Sequence, residues 1–284
     1  MTEILSKDGV PIFCQSAGGG PPLLLVHGSG SDSASWRPIL PELASRFTVL
    51  CMDRRGHGRS GDAGTYAIEK EAGDIAACIE TLVDGPCDVV GHSYGGLCVL
   101  AAARAGAPIR RLVLFEPPIP TYAQAYYPDD LIETMRAELA RGDSDAAAEA
   151  FVTGVFRTSA EELAEMKKLA MWQQIAGRAH IVLRELETVD RFKLSAAGYR
   201  GWSIPTLLML GSESPPQYRA TIEALHAILP GSSIATLKGQ QHSAARTAPA
   251  LFAATVRKFL KARTLKAKMP SRLREIVKRR ARGA

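Results

Sequence analysis

Short apolar runs recur along the chain, each bounded by glycine, proline or a polar turn. Pro22–His27, Phe47–Met52, Cys87–Gly91, Leu112–Phe115, Thr206–Leu210 and Ser233–Leu237 have the length and content of buried strands. A further pair, Thr2–Asp8 and Val10–Ser16, reads as a hairpin around Asp8-Gly9. Between the runs lie longer stretches with helical character: Trp36–Arg46, Ala67–Val83, Tyr94–Ala105, Tyr218–Leu229 and Pro249–Leu260. Strand–helix alternation predicts an α/β fold, a mostly parallel sheet with helices on both faces. One interval breaks the rhythm. From Pro117 to about Ser203 no strand pattern occurs, and Ala, Glu, Leu, Lys and Met dominate. That interval reads as a helical insertion between two strands.

Composition changes this picture little. The chain has 284 residues, 46% of them hydrophobic and 23% charged, as in an ordinary globular protein. No apolar run reaches the roughly 20 residues that span a bilayer. The first residues lack the basic and apolar regions of a signal peptide. The expected location is cytoplasmic. Cys14, Cys51, Cys78, Cys87 and Cys98 are odd in number and lack metal-ligand spacing. They read as buried free thiols in a reducing compartment, with no metal implied.

Charge is unevenly placed. Residues 261–284 hold ten Lys or Arg against one acid, Glu275, so this stretch is at +9 while the whole chain is at +6. The first 260 residues are therefore at −3, which argues against nucleic-acid binding by the body. Leu273, Ile276 and Val277 have helical spacing in the basic tail, which suits contact with an anionic membrane surface or an acidic partner. A solvated tail is the simpler reading.

Chemistry concentrates at Gly91-His92-Ser93-Tyr94-Gly95-Gly96. A strand runs into this G-x-S-x-G segment and a helix leaves it. Ser93 then stands at a sharp strand-to-helix turn, where glycines give room and the helix N-terminus favours an oxyanion. A serine hydroxyl needs a base. Of six histidines, His242 follows the last strand through Leu237-Lys-Gly-Gln-Gln-His242, at the same sheet edge as Ser93. His92 is expected to point elsewhere in the tight turn, and His180 and His226 sit in helical stretches. The N–H groups of Ser29, in His27-Gly28-Ser29-Gly30, and of Tyr94 form the natural pair for an oxyanion hole.

With these segments and Asp53-Arg-Arg-Gly-His-Gly-Arg-Ser60, the chain resembles the α/β-hydrolase superfamily over roughly residues 10–262. The resemblance implies an eight-stranded, mostly parallel sheet with helices on both faces and a helical cap. The core would comprise residues 1–116 and 204–262, the cap 117–203, and the basic C-terminal tail 263–284. It also implies a Ser–acid–His triad in that chain order. Asp53-Arg54 looks like the family's usual structural turn after the fourth strand.

The acid is displaced. The family commonly places an Asp beyond the seventh strand, where this chain reads Leu210-Gly-Ser-Glu-Ser-Pro-Pro216 and Ser214 takes its position. Glu213 is adjacent. Glu116 ends the sixth strand, next to the strand of Ser93 in the family's order, and some members, haloalkane dehalogenases among them, carry the acid there. The reading favours Glu116 and leaves Glu213, or no carboxylate, as alternatives.

The expected reaction is cleavage of an ester, lactone or thioester of an apolar small molecule through an acyl-enzyme on Ser93, without a cofactor. A C–C-bond hydrolase or a cofactor-free perhydrolase fits the same residues, and a non-catalytic ligand-binding protein of this fold is the rival class. Tyr122, Tyr126, Met171 and Trp172 are the expected substrate-contacting residues of the cap, with Tyr127, Phe151, Phe156 and Met166 as further candidates.

Overall fold

A computed structural model describes residues 2–121 and 126–261. Its strands are β1 (Thr2–Leu5), β2 (Pro11–Ala17), β3 (Pro22–Val26), β4 (Thr48–Met52), β5 (Cys87–His92), β6 (Ile109–Phe115), β7 (Thr206–Gly211) and β8 (Ser233–Leu237). They form one sheet in the order β1-β2-β4-β3-β5-β6-β7-β8. β1 and β2 pair antiparallel, as do β2 and β4, and the remaining ladders are parallel. Tyr122 and the basic tail with its amphipathic pattern lie outside the described residues.

The strand sequences explain the two layers. Side chains alternate across a sheet with period two. Leu24, Leu50, Val89, Leu112 and Leu208 therefore share one face with residues of helices α2 (Ile68–Leu82) and α3 (Tyr94–Arg104). Leu23, Val49, Val90, Val113 and Met209 share the other with α1 (Leu40–Ala44) and the helix Pro249–Lys261. Each fully buried Leu or Val on these faces stabilises by about 1.5–3 kcal/mol relative to exposure. The expected helix Trp36–Arg46 is not continuous. It is a 3-10 turn, Ser33–Trp36, followed by α1. Pro38 and Pro41 lack the N–H that a continuous helix needs, so the helix starts late with Pro41 in its first turn.

Between β6 and β7 run α4 (Leu131–Ala140), α5 (Ser144–Phe156), α6 (Ala160–Lys167), α7 (Ala170–Gly177) and α8 (Ala179–Arg191). Asp143 caps α5, and Ser159 with Glu162 forms a reciprocal capping box on α6. Met135, Phe151, Val152, Trp172, Val182 and Leu186 pack together as a separate apolar cluster. α8 ties this insertion to the sheet layers: Arg184 bonds Asp62 at 2.8 Å, and Arg178 donates to the Ser31 carbonyl at 3.3 Å. After β7 the described residues form α9 (Pro216–Ile228), α10 (Ala244–Thr247) and α11 (Pro249–Lys261). Among the described residues no helix is long and apolar enough to cross a membrane. All five cysteines are buried and free. Burial pushes the Cys51 thiol up to about 12, so it stays protonated.

Candidate active site

Ser93 stands between β5 and α3 with φ 53 and ψ −130, a conformation that non-glycine residues rarely adopt. The fold closes tightly around it. A Cβ on Gly95 would lie 2.2 Å from the His27 carbonyl oxygen, and one on Gly91 would lie 2.6 Å from the Gly96 Cα. Only glycine fits either position. The Ser93 N–H donates to the Phe115 carbonyl at 2.9 Å, which fixes the turn to the end of β6.

The residue directly after β6 is Glu116. It is fully buried and also has a positive φ, 48. Its Oε2 accepts from His242 Nδ1 at 2.6 Å. Its Oε1 accepts from the Gly211 N–H at 2.7 Å. The carboxylate is thus held on both oxygens, and the imidazole is oriented with Nε2 as its other nitrogen. Glu213, in contrast, is exposed and bonds its neighbour Ser212. The Ser214 hydroxyl is buried and without a partner among the described residues.

Aromatic rings frame His242. Tyr218 of α9 stacks on it at 4.6 Å, Phe156 lies at 5.8 Å, and Phe115 lies at 6.1 Å. The turn does not send His92 away from the histidine loop. Its ring is 4.6 Å from the His242 ring, and its Nε2 is 3.0 Å from the His242 carbonyl oxygen. Because a carbonyl only accepts, His92 Nε2 carries the proton. Burial, then the neighbouring His242, lowers its pKa and keeps it neutral.

Gly28 follows β3 and faces Ser93, since a Cβ there would stand 2.8 Å from the Ser93 Cβ. Ser29 comes next. Tyr94 opens α3 directly after Ser93 and is buried, its hydroxyl 2.7 Å from that of Tyr66. Tyr94 thus follows Ser93 directly in the chain, and Ser29 follows the glycine that faces it.

The expected pocket residues are more dispersed. Tyr126 is buried, donates to the Pro117 carbonyl at 3.1 Å, and packs edge-on against Tyr218 at 5.3 Å. It supports the ring that covers His242. Trp172 is seated in the insertion's own apolar cluster, with its N–H on Asp145, and Met171 is 41% exposed. Helical spacing alone does not tell which side of α7 faces inward. Tyr218 is the residue that sequence reasoning missed. Its only signal is an aromatic one turn into a helix that begins beside the acid loop.

Asp53 and Arg54 hold the turn after β4. Asp53 accepts from the N–H groups of Ser33 and Arg59 at 2.7 and 2.9 Å. Arg54 is fully buried and bonds Glu71 at 2.8 Å.

Residues 23–255 match the model of the alpha/beta hydrolase family. The chain belongs to the alpha/beta hydrolase family, and it is a hydrolase. It is 28% identical over 267 residues to the 2-(acetamidomethylene)succinate hydrolase of Mesorhizobium japonicum, covering 89% of this chain and 92% of that one. An alpha/beta hydrolase from Sphaerobacter thermophilus superposes with a TM-score of 0.82 at 35% identity, over 91% of this chain and all of that one. The enol-lactonase of Burkholderia xenovorans, at 23% identity and a TM-score of 0.73 over 92% of this chain and all of that one, shares the fold.

Proposed function

We propose that this hydrolase cleaves a carboxylic ester, lactone or thioester of an apolar small molecule by two-step acyl transfer. The observation that carries the reading is the 2.6 Å bond between His242 Nδ1 and Glu116, beside a serine in a strained strand-to-helix turn. His242 Nε2 takes the Ser93 proton as the hydroxyl attacks the carbonyl. Glu116 holds the imidazole in that tautomer and stabilises the imidazolium. The N–H groups of Ser29 and Tyr94 stabilise the charge that develops on the carbonyl oxygen. His242 returns the proton to the leaving group, and water then releases the acid by the reverse path. No cofactor enters this scheme. The helices between β6 and β7 act as a cap, and Phe156 and Tyr218 give the reacting end an apolar wall.

The Mesorhizobium relative is named for an acetamido-bearing succinate, so an acylamino substrate belongs beside the esters in any trial. A panel of chromogenic esters, lactones, thioesters and acylamino compounds tests the reading. Turnover of an ester or lactone that disappears in Ser93→Ala and His242→Gln supports it. Turnover that persists in Ser93→Ala overturns it.

A further inference from the structure

His242 stands in the loop after β8, and Ser93 stands at the end of β5. In the sheet order, β6 and β7 lie between those two strands. Three strand spacings amount to about 14 Å, so the histidine loop must reach back over two strand ends to meet the serine. Glu116 turns the imidazole through Nδ1. A bond to one ring nitrogen orients the ring but does not fix the backbone that carries it. The turn bonds of the loop pass to either side of the His242 carbonyl: the Ala244 N–H donates to Gln241 and the Arg246 N–H to Ser243, at 3.0 and 2.8 Å. The His242 carbonyl accepts instead from His92 Nε2 at 3.0 Å.

His92 is well placed to hold it. It is the last residue of β5, directly before Ser93, and it pairs with Phe115 across the β5–β6 ladder. Its ring stacks on Phe115 at 5.2 Å and lies at a steep angle to Trp36 at 6.2 Å. Phe115 and Trp36 are both buried. A ring packed against two buried aromatics has little freedom to turn, so its N–H keeps a fixed direction. Burial keeps this imidazole neutral, and its single proton is on Nε2. The serine and this donor are neighbours in one strand-to-helix turn. The turn that presents the nucleophile therefore also grips the loop that carries the base.

We propose that His92 is a positioning residue for the general base: its Nε2–H holds the His242 backbone, so that the ring turned by Glu116 meets the Ser93 hydroxyl with Nε2. The inference rests on the acyl-transfer reading above. It gives the His242 side chain and backbone separate holds, Glu116 on the ring and His92 on the carbonyl. A base displaced by a fraction of an ångström transfers the proton less well in the transition state, while the bound substrate is little affected.

The test is steady-state kinetics on a short-chain p-nitrophenyl ester, with His92→Asn and His92→Gln compared. The Asn amide nitrogen stands near the place of Nδ1 and falls short of the carbonyl. The Gln amide nitrogen stands near the place of Nε2 and reaches it. His92→Asn lowers kcat about 30-fold with KM within about threefold. His92→Gln recovers at least about fivefold of that loss. His92→Phe keeps the stacking on Phe115 but has no donor, and it falls with His92→Asn. A kcat of His92→Asn or His92→Phe within about threefold of the parent overturns the proposal. So does a loss confined to KM, or a His92→Gln variant no faster than His92→Asn. If His92→Asn does not fold, His92→Phe against His92→Gln decides by the same criteria. Full turnover in Ser93→Ala would instead remove the acyl-transfer reading itself.

Discussion

Glu116 and His242 are 126 residues apart in the chain and 2.6 Å apart in the structure. The bond forms because β6 lies between β5, which presents Ser93, and β7, whose Gly211 N–H holds the other carboxylate oxygen. Glu116→Gln keeps the shape but offers an amide to Nδ1 and disturbs the tautomer. It lowers kcat by about 10³-fold with a small change in KM. Glu213→Gln, at an exposed site, stays within about twofold of the parent. Initial-rate measurements on both variants check this, and the opposite ranking would move the acid to Glu213.

The Ser214 side chain sits against the same backbone as the carboxylate, with its Oγ 2.8 Å from where a Gly211 Cβ would lie. An aspartate there can take over part of the role of Glu116. The double variant Glu116→Gln/Ser214→Asp regains at least about tenfold in kcat over Glu116→Gln alone. No gain means that position 214 does not reach the imidazole.

Gly28→Ala places a methyl 2.8 Å from the Ser93 Cβ and 3.4 Å from its Oγ. The backbone there does not need a positive φ, so the change strains the packing against Ser93 and not the local backbone. The variant loses at least about tenfold in kcat while its melting temperature moves by no more than about 3 °C. Calorimetry with kinetics on one preparation separates the two effects.

Arg54→Met leaves the buried carboxylates of Glu71 and Glu185, both bonded to Arg54, without a cation. Urea unfolding registers a loss of about 3–5 kcal/mol, and adding Glu71→Gln and Glu185→Gln returns more than half of it. A loss below about 1 kcal/mol in the single variant contradicts the picture of a paired, dry cluster.

Burial raises the Asp74 carboxyl to about 6, against two hydrogen bonds from Arg55 at 2.7 and 2.8 Å. The folded state then binds this proton more tightly than the unfolded chain. Its contribution is greatest below pH 3.8 and declines as pH rises through about 6. The rise corresponds to about 3 kcal/mol at most. Asp74→Asn removes this decline, so the stability difference between variant and parent changes across that window. A difference that is flat with pH rejects the shift.

The central strands were legible because buried parallel strands read as unbroken apolar runs, as in Leu23-Leu-Leu-Val26 and Val49-Leu-Cys-Met52. The place of Ser93 in a strand-to-helix turn and of His242 in the loop after the last strand was legible because turn chemistry and sheet edge are local properties. Glu116 required strand order as well. The break at Pro38 and Pro41 was present in the sequence but overridden by the apolar pattern around it. Glu185 was not legible: it is one acid in a charged helix, and its partner Arg54 is 131 residues away. Tyr218 and His92 gained their places only when α9 and the histidine loop packed together.

The central claim is that Ser93 is the nucleophile of this hydrolase. Incubation with a fluorophosphonate, followed by intact-mass and peptide mass spectrometry, tests it most directly. The account predicts one adduct per chain, on Ser93, formed much more slowly in Glu116→Gln and absent in Ser93→Ala. An unlabelled parent, or an adduct on another residue with activity lost, contradicts it.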